Sequence, residues 1–96
     1  MNTEIKAIHF SLHDDAKAYI NKKLERLRNA ENMIVDLLIT MKKEKDFVAE
    51  ATVNLRWGVR IHVAESDFEL TKSIDQMIDK LEAKITKEKE KVKEKR

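Results

Sequence analysis

Residues 70–96 read LTKSIDQMIDKLEAKITKEKEKVKEKR, and their spacing decides how the chain folds. Leu70, Ile74, Met77, Ile78, Leu81 and Ile85 recur at i, i+4, i+7, i+8, i+11 and i+15, the apolar stripe of an amphipathic helix. That stripe needs a surface to cover. At about 100° per residue, Lys80, Lys84, Lys87, Lys91 and Lys95 fall on one flank of it, while Asp75, Asp79, Glu82, Glu90 and Glu94 gather on the back, which reads as the solvent side. A mixed-charge face is ordinarily just solvated, but a single-sign row beside a buried seam concentrates field next to a groove.

The surface to be covered lies upstream. Phe47, Ala49, Ala51, Val53 and Leu55 alternate with Val48, Glu50, Thr52, Asn54 and Arg56, a period of two that marks a strand with one apolar and one polar face. Trp57-Gly58 follows with the only glycine of the chain, placed where a hairpin needs a residue free to take positive φ. Val59, Ile61 and Val63 then alternate with Arg60, His62 and Ala64 as the returning strand, and Glu65 to Phe68 leads into the helix.

Before the hairpin, Met33 to Met41 is short, rich in branched residues and bounded by polar stretches, so a well-buried strand fits it better than a helix. Lys42 to Asp46 is the connecting loop. Ala16, Ile20, Leu24 and Leu27 form a second helical stripe, flanked by Lys22, Lys23, Arg26 and Arg28. Ser11 or His13 opens this helix in a capping-box pattern with Asp14 and Asp15 at its positive end, and Asn29 is placed to close it as a left-handed C-cap. Ile5, Ala7, Ile8 and Phe10 alternate weakly and give a first strand. The expected fold class is α+β, in the order β-α-β-β-β-α, with one four-stranded sheet carrying two helices on one face and leaving the other open.

Composition bounds the rest. Ninety-six residues make one domain, expected over residues 1–96 with fraying from about residue 90, and a chain of this size buries roughly 60–65% of its unfolded surface. Charged residues are 40% of the chain against a usual ~25%, and although the net charge is only +2, the last helix carries the basic surplus. The absence of cysteine excludes a disulfide framework and a thiolate site, and suits a reducing cytosol. Glu4, Lys6 and His9 interrupt every short apolar run at the start, so neither a secretory h-region nor a membrane span is expected, and the protein reads as cytoplasmic with no membrane partner.

Enzyme chemistry finds no foothold. Asp14-Asp15 and Asp75/Asp79 lack a pocket signature and read as helix-terminal or solvated acids rather than an acid/base pair. His9 and His13 are four apart but straddle the strand-to-helix junction rather than lying on a helix, no H-E-x-x-H or cysteine accompanies them or His62, and one glycine cannot build a phosphate loop, so no cofactor and no small-molecule substrate are expected. Trp57 reads first as cover for a core edge and second as a stacking surface for a base. Two basic amphipathic helices on one sheet point to a polyanion, and nucleic acid is the leading class. A free duplex-RNA-binding module and a helix that pairs with a partner helix, on near-heptad spacing from Leu70 to Ile85, are the alternatives.

Phe47-Val48-Ala49-Glu50-Ala51-Thr52-Val53, then Ile74-Asp75 and the run Asp79 to Lys89 (DKLEAKITKEK), resemble the ribosome hibernation-promoting factor and ribosome-associated inhibitor family, also called protein Y. The resemblance spans nearly the whole chain. It implies a fold similar to a double-stranded-RNA-binding domain and a monomer that binds the small ribosomal subunit between head and body. There it would occupy the mRNA and tRNA sites on 16S rRNA and silence translation under stress or in stationary phase. By the same resemblance Lys80, Lys84, Lys87, Lys89 and Lys91, with Lys17, Lys23 and Arg26 on the first helix, would contact rRNA phosphates, and Lys22 and Arg28 extend that candidate RNA-binding set.

Two departures are visible. The family's D-[ML]-Y-x-A-I-D run reads Glu69-Leu70-Thr71-Lys72-Ser73-Ile74-Asp75 here, without the tyrosine, and the basic residue after K-L-x is Ala83 followed by Lys84. The chain is similar to the short form of the family, in which pairing of ribosomes needs a separate modulation factor.

Overall fold

The computed structural model describes residues 2–94, with side chains described as far as Lys91, so Lys95 of the lysine flank and the last part of the segment expected to fray lie outside it. The elements are β1 (Asn2–Ile8), α1 (Asp14–Leu24), a 3-10 segment (Glu25–Met33), β2 (Ile34–Lys43), β3 (Phe47–Leu55), β4 (Arg60–Asp67) and α2 (Leu70–Glu94). The sheet order is β1-β2-β3-β4: β1 and β2 are parallel, and the other neighbours are antiparallel hairpins. This is the α+β architecture expected from the residue patterns.

A parallel pair needs a crossover, and α1 with the 3-10 segment provides it between β1 and β2. The second helix returns from β4 over β3 and β4, so both helices share one face of the sheet. Ile74, Met77, Ile78 and Leu81 have no exposed surface and lie in one core with Ile20, Leu27, Ile39, Met41, Ala49, Ala51, Val53 and Val63. Each large apolar side chain so buried stabilises the fold by roughly 1.5–3 kcal/mol, and the stripe that looked available for a partner helix is consumed by the sheet. Ser73 is the one buried polar residue among those described, and its hydroxyl donates to the Leu70 carbonyl at 2.6 Å.

Residue spacing explains the 3-10 segment. Ala16, Ile20 and Leu24 follow the four-residue step of an α-helix, after which Leu24, Leu27, Ala30 and Met33 recur every third residue. Side chains three apart eclipse one another in a 3-10 helix, so this change of period keeps one apolar line against the sheet. The α-helix therefore ends at Leu24, and Asn29 is not a left-handed cap.

Other expectations need correction too. His13 is the N-cap of α1, with Asp14 and Asp15 in the first turn, but no side chain caps it and the capping box does not form. The His13 carbonyl instead accepts from the Ala16 and Lys17 amides at 3.0 and 3.1 Å. Lys42 and Lys43 belong to β2, which leaves Glu44 to Asp46 as a tight turn, and Glu65 to Asp67 belong to β4. The β3–β4 hairpin forms where expected, with Gly58 at φ +84°.

One irregularity shapes the open end of the sheet. Ile34 pairs with Leu55 and Asp36 with Asn54, so Val35 is an extra residue, bulged out and exposed. The bulge lets Ile34 and Leu37, an odd number of residues apart, both point into the core.

Candidate nucleic-acid interface

The two helices meet through a polar ladder. Tyr19 and Lys23 of α1 and Arg26 of the 3-10 segment that continues it occupy i, i+4 and i+7, and Asp75, Asp79 and Glu82 occupy the same spacing on α2. The Tyr19 hydroxyl donates to Asp75 at 2.6 Å, and Lys23 Nζ lies 3.5 Å from the same carboxylate. Arg26 forks, with Nη1 2.6 Å from Asp79 and Nη2 2.5 Å from Glu82. The hydrogen bond to Asp75 holds the Tyr19 phenol above its usual pKa, and Glu82, then Asp79, raise that of the Arg26 guanidinium further.

This corrects the reading of the acid row as the solvent side of α2, because its first three members face α1. It also means that Lys23 and Arg26 are already matched by carboxylates. The acid row separates the cations of α1 from the lysine flank of α2, so the ten candidate residues do not form one patch.

The lysine flank lies on the opposite side of α2, along β4. Lys80 Nζ is 3.0 Å from Glu65 of β4. One helical turn further on, Lys84, Lys87, Glu88 and Lys91 face Val59, Arg60, Ile61 and His62 across a groove of about 320 Å³. Lys91 is 3.4 Å from Glu88. No carboxylate lies within ion-pair distance of Lys84 or Lys87 among the described residues. Three lysines against one acid, with Arg60 at the rim and its guanidinium turned to Asn54 on the open face, make this a positive concavity.

The remaining candidates are dispersed. Lys17 and Lys22 are exposed on α1, Arg28 lies beside Glu25 and Glu31 near the start of β1, and Lys89 faces the 3-10 segment across from Arg26 and Asn29. Arg60 and His62 were missed by reasoning from helix periodicity. Their signal is the period of two: both sit at polar positions of an edge strand immediately before the lysine-rich helix.

Rows of paired residues define the open face of the sheet. Arg60 Nε donates to Asn54 at 3.1 Å, and Asn54 Nδ2 donates to Asp36 at 2.7 Å. In the next row Thr52 and His62 are hydrogen-bonded at 2.9 Å, and Lys42 is 3.1 Å from Glu50. Its charges are thus largely internally matched, unlike those of the groove. Among the described residues no group of His, Cys, Asp or Glu is placed to hold a metal ion, and no helix is long and apolar enough to cross a membrane.

The family model described as sigma 54 modulation protein / S30EA ribosomal protein matches residues 3–93. Among solved structures, the N-terminal domain of Thermus thermophilus Protein Y is similar with a TM-score of 0.78 and 25% sequence identity, covering 91% of this chain and 98% of that one. A ribosomal subunit interface protein from Coxiella burnetii has the same fold, with a TM-score of 0.86 at 22% identity over 93% of this chain and 98% of that one. No curated protein matches the sequence.

Proposed function

Because the chain belongs to the sigma 54 modulation protein / S30EA ribosomal protein family, we propose that it is a ribosome hibernation factor of the cytoplasm. It binds the small ribosomal subunit on 16S rRNA in the decoding region between head and body, blocks the mRNA and tRNA sites, and silences translation under stress or in stationary phase. It does so without catalysis.

The observation that carries the chemistry is the groove between β4 and α2, where Lys84, Lys87 and Lys91 stand with a single acid, Glu88, and Arg60 lies at the rim. Such a cleft neutralises consecutive phosphates of a folded RNA and releases their counterions. Lys80, partly spent on Glu65, extends the row, while Lys23 and Arg26 contribute mainly by holding α2 in place. Lys17, Lys22, Arg28 and Lys89 supply peripheral contacts.

Sedimentation of purified small subunits with the protein tests this. Co-migration is expected at about 100 mM salt, falling steeply as salt is raised, and an excess of random-sequence duplex RNA should not displace the protein. Failure to co-migrate overturns the proposal, and displacement by any duplex favours a general duplex-binding module.

A further inference from the structure

Trp57 is the only tryptophan in the chain, and it is 40% exposed at the tip of the β3–β4 hairpin. Its neighbour Val59 packs against the hydrophobic core, while Trp57 keeps two-fifths of its surface in solvent. Covering a core edge leaves that exposed part of the ring unused.

The loop that carries it is held from several sides. The Gly58 amide donates to the Leu55 carbonyl at 3.1 Å and the Leu55 amide to the Val59 carbonyl at 2.8 Å, the pattern of a three-residue hairpin loop closed by a left-handed glycine. The Arg56 amide donates to the Met33 carbonyl at 2.9 Å, and its guanidinium donates to the Asn32 carbonyl. The exposed indole is thus presented on a fixed platform, which lowers the entropic cost of using it as a contact.

Two and three residues along, Val59 and Arg60 enter the wall of the cationic groove with Lys84, Lys87 and Lys91. A part-exposed aromatic two residues along the chain from a positive cleft has the elements of a single-strand site: cations track the backbone while the ring accepts an unpaired base. A base within a duplex is stacked on its neighbours and cannot offer its face.

We propose that Trp57 and the β4–α2 groove form a binding site for an unpaired RNA segment, with the indole stacked on one base and Arg60, Lys84 and Lys87 on the flanking phosphates. This deepens the ribosome-binding reading and rests on it for the identity of the RNA.

Because Trp57 is the only tryptophan, its fluorescence reports the contact directly. Titration with a single-stranded U-rich RNA of about ten nucleotides should quench the emission, and a blunt duplex of equal length should leave it nearly unchanged. By fluorescence anisotropy of a dye-labelled strand, a readout that needs no tryptophan, Trp57→Ala should bind the single strand about ten-fold more weakly with an unaltered salt slope, and Trp57→Phe should stay within about three-fold of the parent. Equal affinity of Trp57→Ala and the parent, or equal quenching by both RNAs, overturns the proposal. So does a blue shift on anionic phospholipid vesicles with no response to RNA, which would assign the ring to a membrane surface.

The double variant Lys84→Glu/Lys87→Glu separates the two readings. If it loses both RNAs while Trp57→Ala behaves as the parent, stacking is wrong and the phosphate reading stands. If it keeps both while Trp57→Ala loses the single strand, the phosphate reading is wrong and the indole contact stands.

Discussion

Arg26 and Glu82 lie 2.5 Å apart across the seam between the two helices, and the same guanidinium reaches Asp79 at 2.6 Å. A planar fork on two carboxylates fixes the rotation of α2 as a single point charge could not. That rotation sets which way the lysine flank points. The site is half in water, so the pair energies are screened, and Arg26→Ala should cost only about 1 kcal/mol of stability. A urea melt checks this. The same variant should lose less ribosome affinity than any charge reversal in the groove.

In the groove the expectation is opposite. Lys84 and Lys87 are exposed and lie outside the apolar stripe, so reversing both should leave the urea midpoint nearly unchanged. Each reversal turns a phosphate partner into a repelling charge. Lys84→Glu/Lys87→Glu should therefore reduce affinity for small subunits by about a hundred-fold or more at low salt and flatten the salt dependence. Lys22→Glu, on α1 beyond the acid row, should have a much smaller effect in the same sedimentation assay.

The α2 stripe and the Phe47–Leu55 alternation were legible because each element buries one side only, which writes its period into the chain. The lysine flank was legible for the same reason. The acid row was misread because a polar stripe shows its partner only once the neighbouring helix is known, although Tyr19, Lys23 and Arg26 carry the complementary spacing. The 3-10 segment was hidden because Leu24 and Leu27 satisfy a three-residue and a four-residue step equally well. The Val35 bulge has no residue signature, since a valine suits an unbroken strand better than a kink.

Backbone strain offers two further tests of opposite sign. His9, between β1 and α1, is the one described non-glycine residue at positive φ, +69°, and Gly58 is at +84°. A side chain in this region costs about 1–2 kcal/mol, part of which glycine returns through its greater freedom in the unfolded chain. His9→Gly should stabilise the protein by about 0.5 kcal/mol. Gly58→Ala should destabilise it by about 1 kcal/mol, and all of that cost is backbone strain, because no atom lies within 4 Å of where the new Cβ would sit. Thermal melts of the two variants should shift in opposite directions.

The start of α2 carries a pH dependence. Asp67 accepts the Glu69 amide at 2.9 Å and Gln76 Nε2 at 3.0 Å, satisfying a donor that the helix start would otherwise leave free. The amide hydrogen bond first, then Gln76 and the charge of Lys72, hold the Asp67 carboxyl below its usual pKa. A carboxylate whose folded pKa is depressed contributes stability above its unfolded value, about 3.9, and that contribution is lost as pH falls through the folded value. At neutral pH Asp67→Ala should melt below the parent. Other carboxylates titrate alike in both proteins and cancel in the difference, so the gap between the two melting temperatures isolates Asp67. It should stay constant down to about pH 5 and close progressively below that. A gap that persists undiminished at pH 2 would mean that Asp67 acts through its shape rather than its charge.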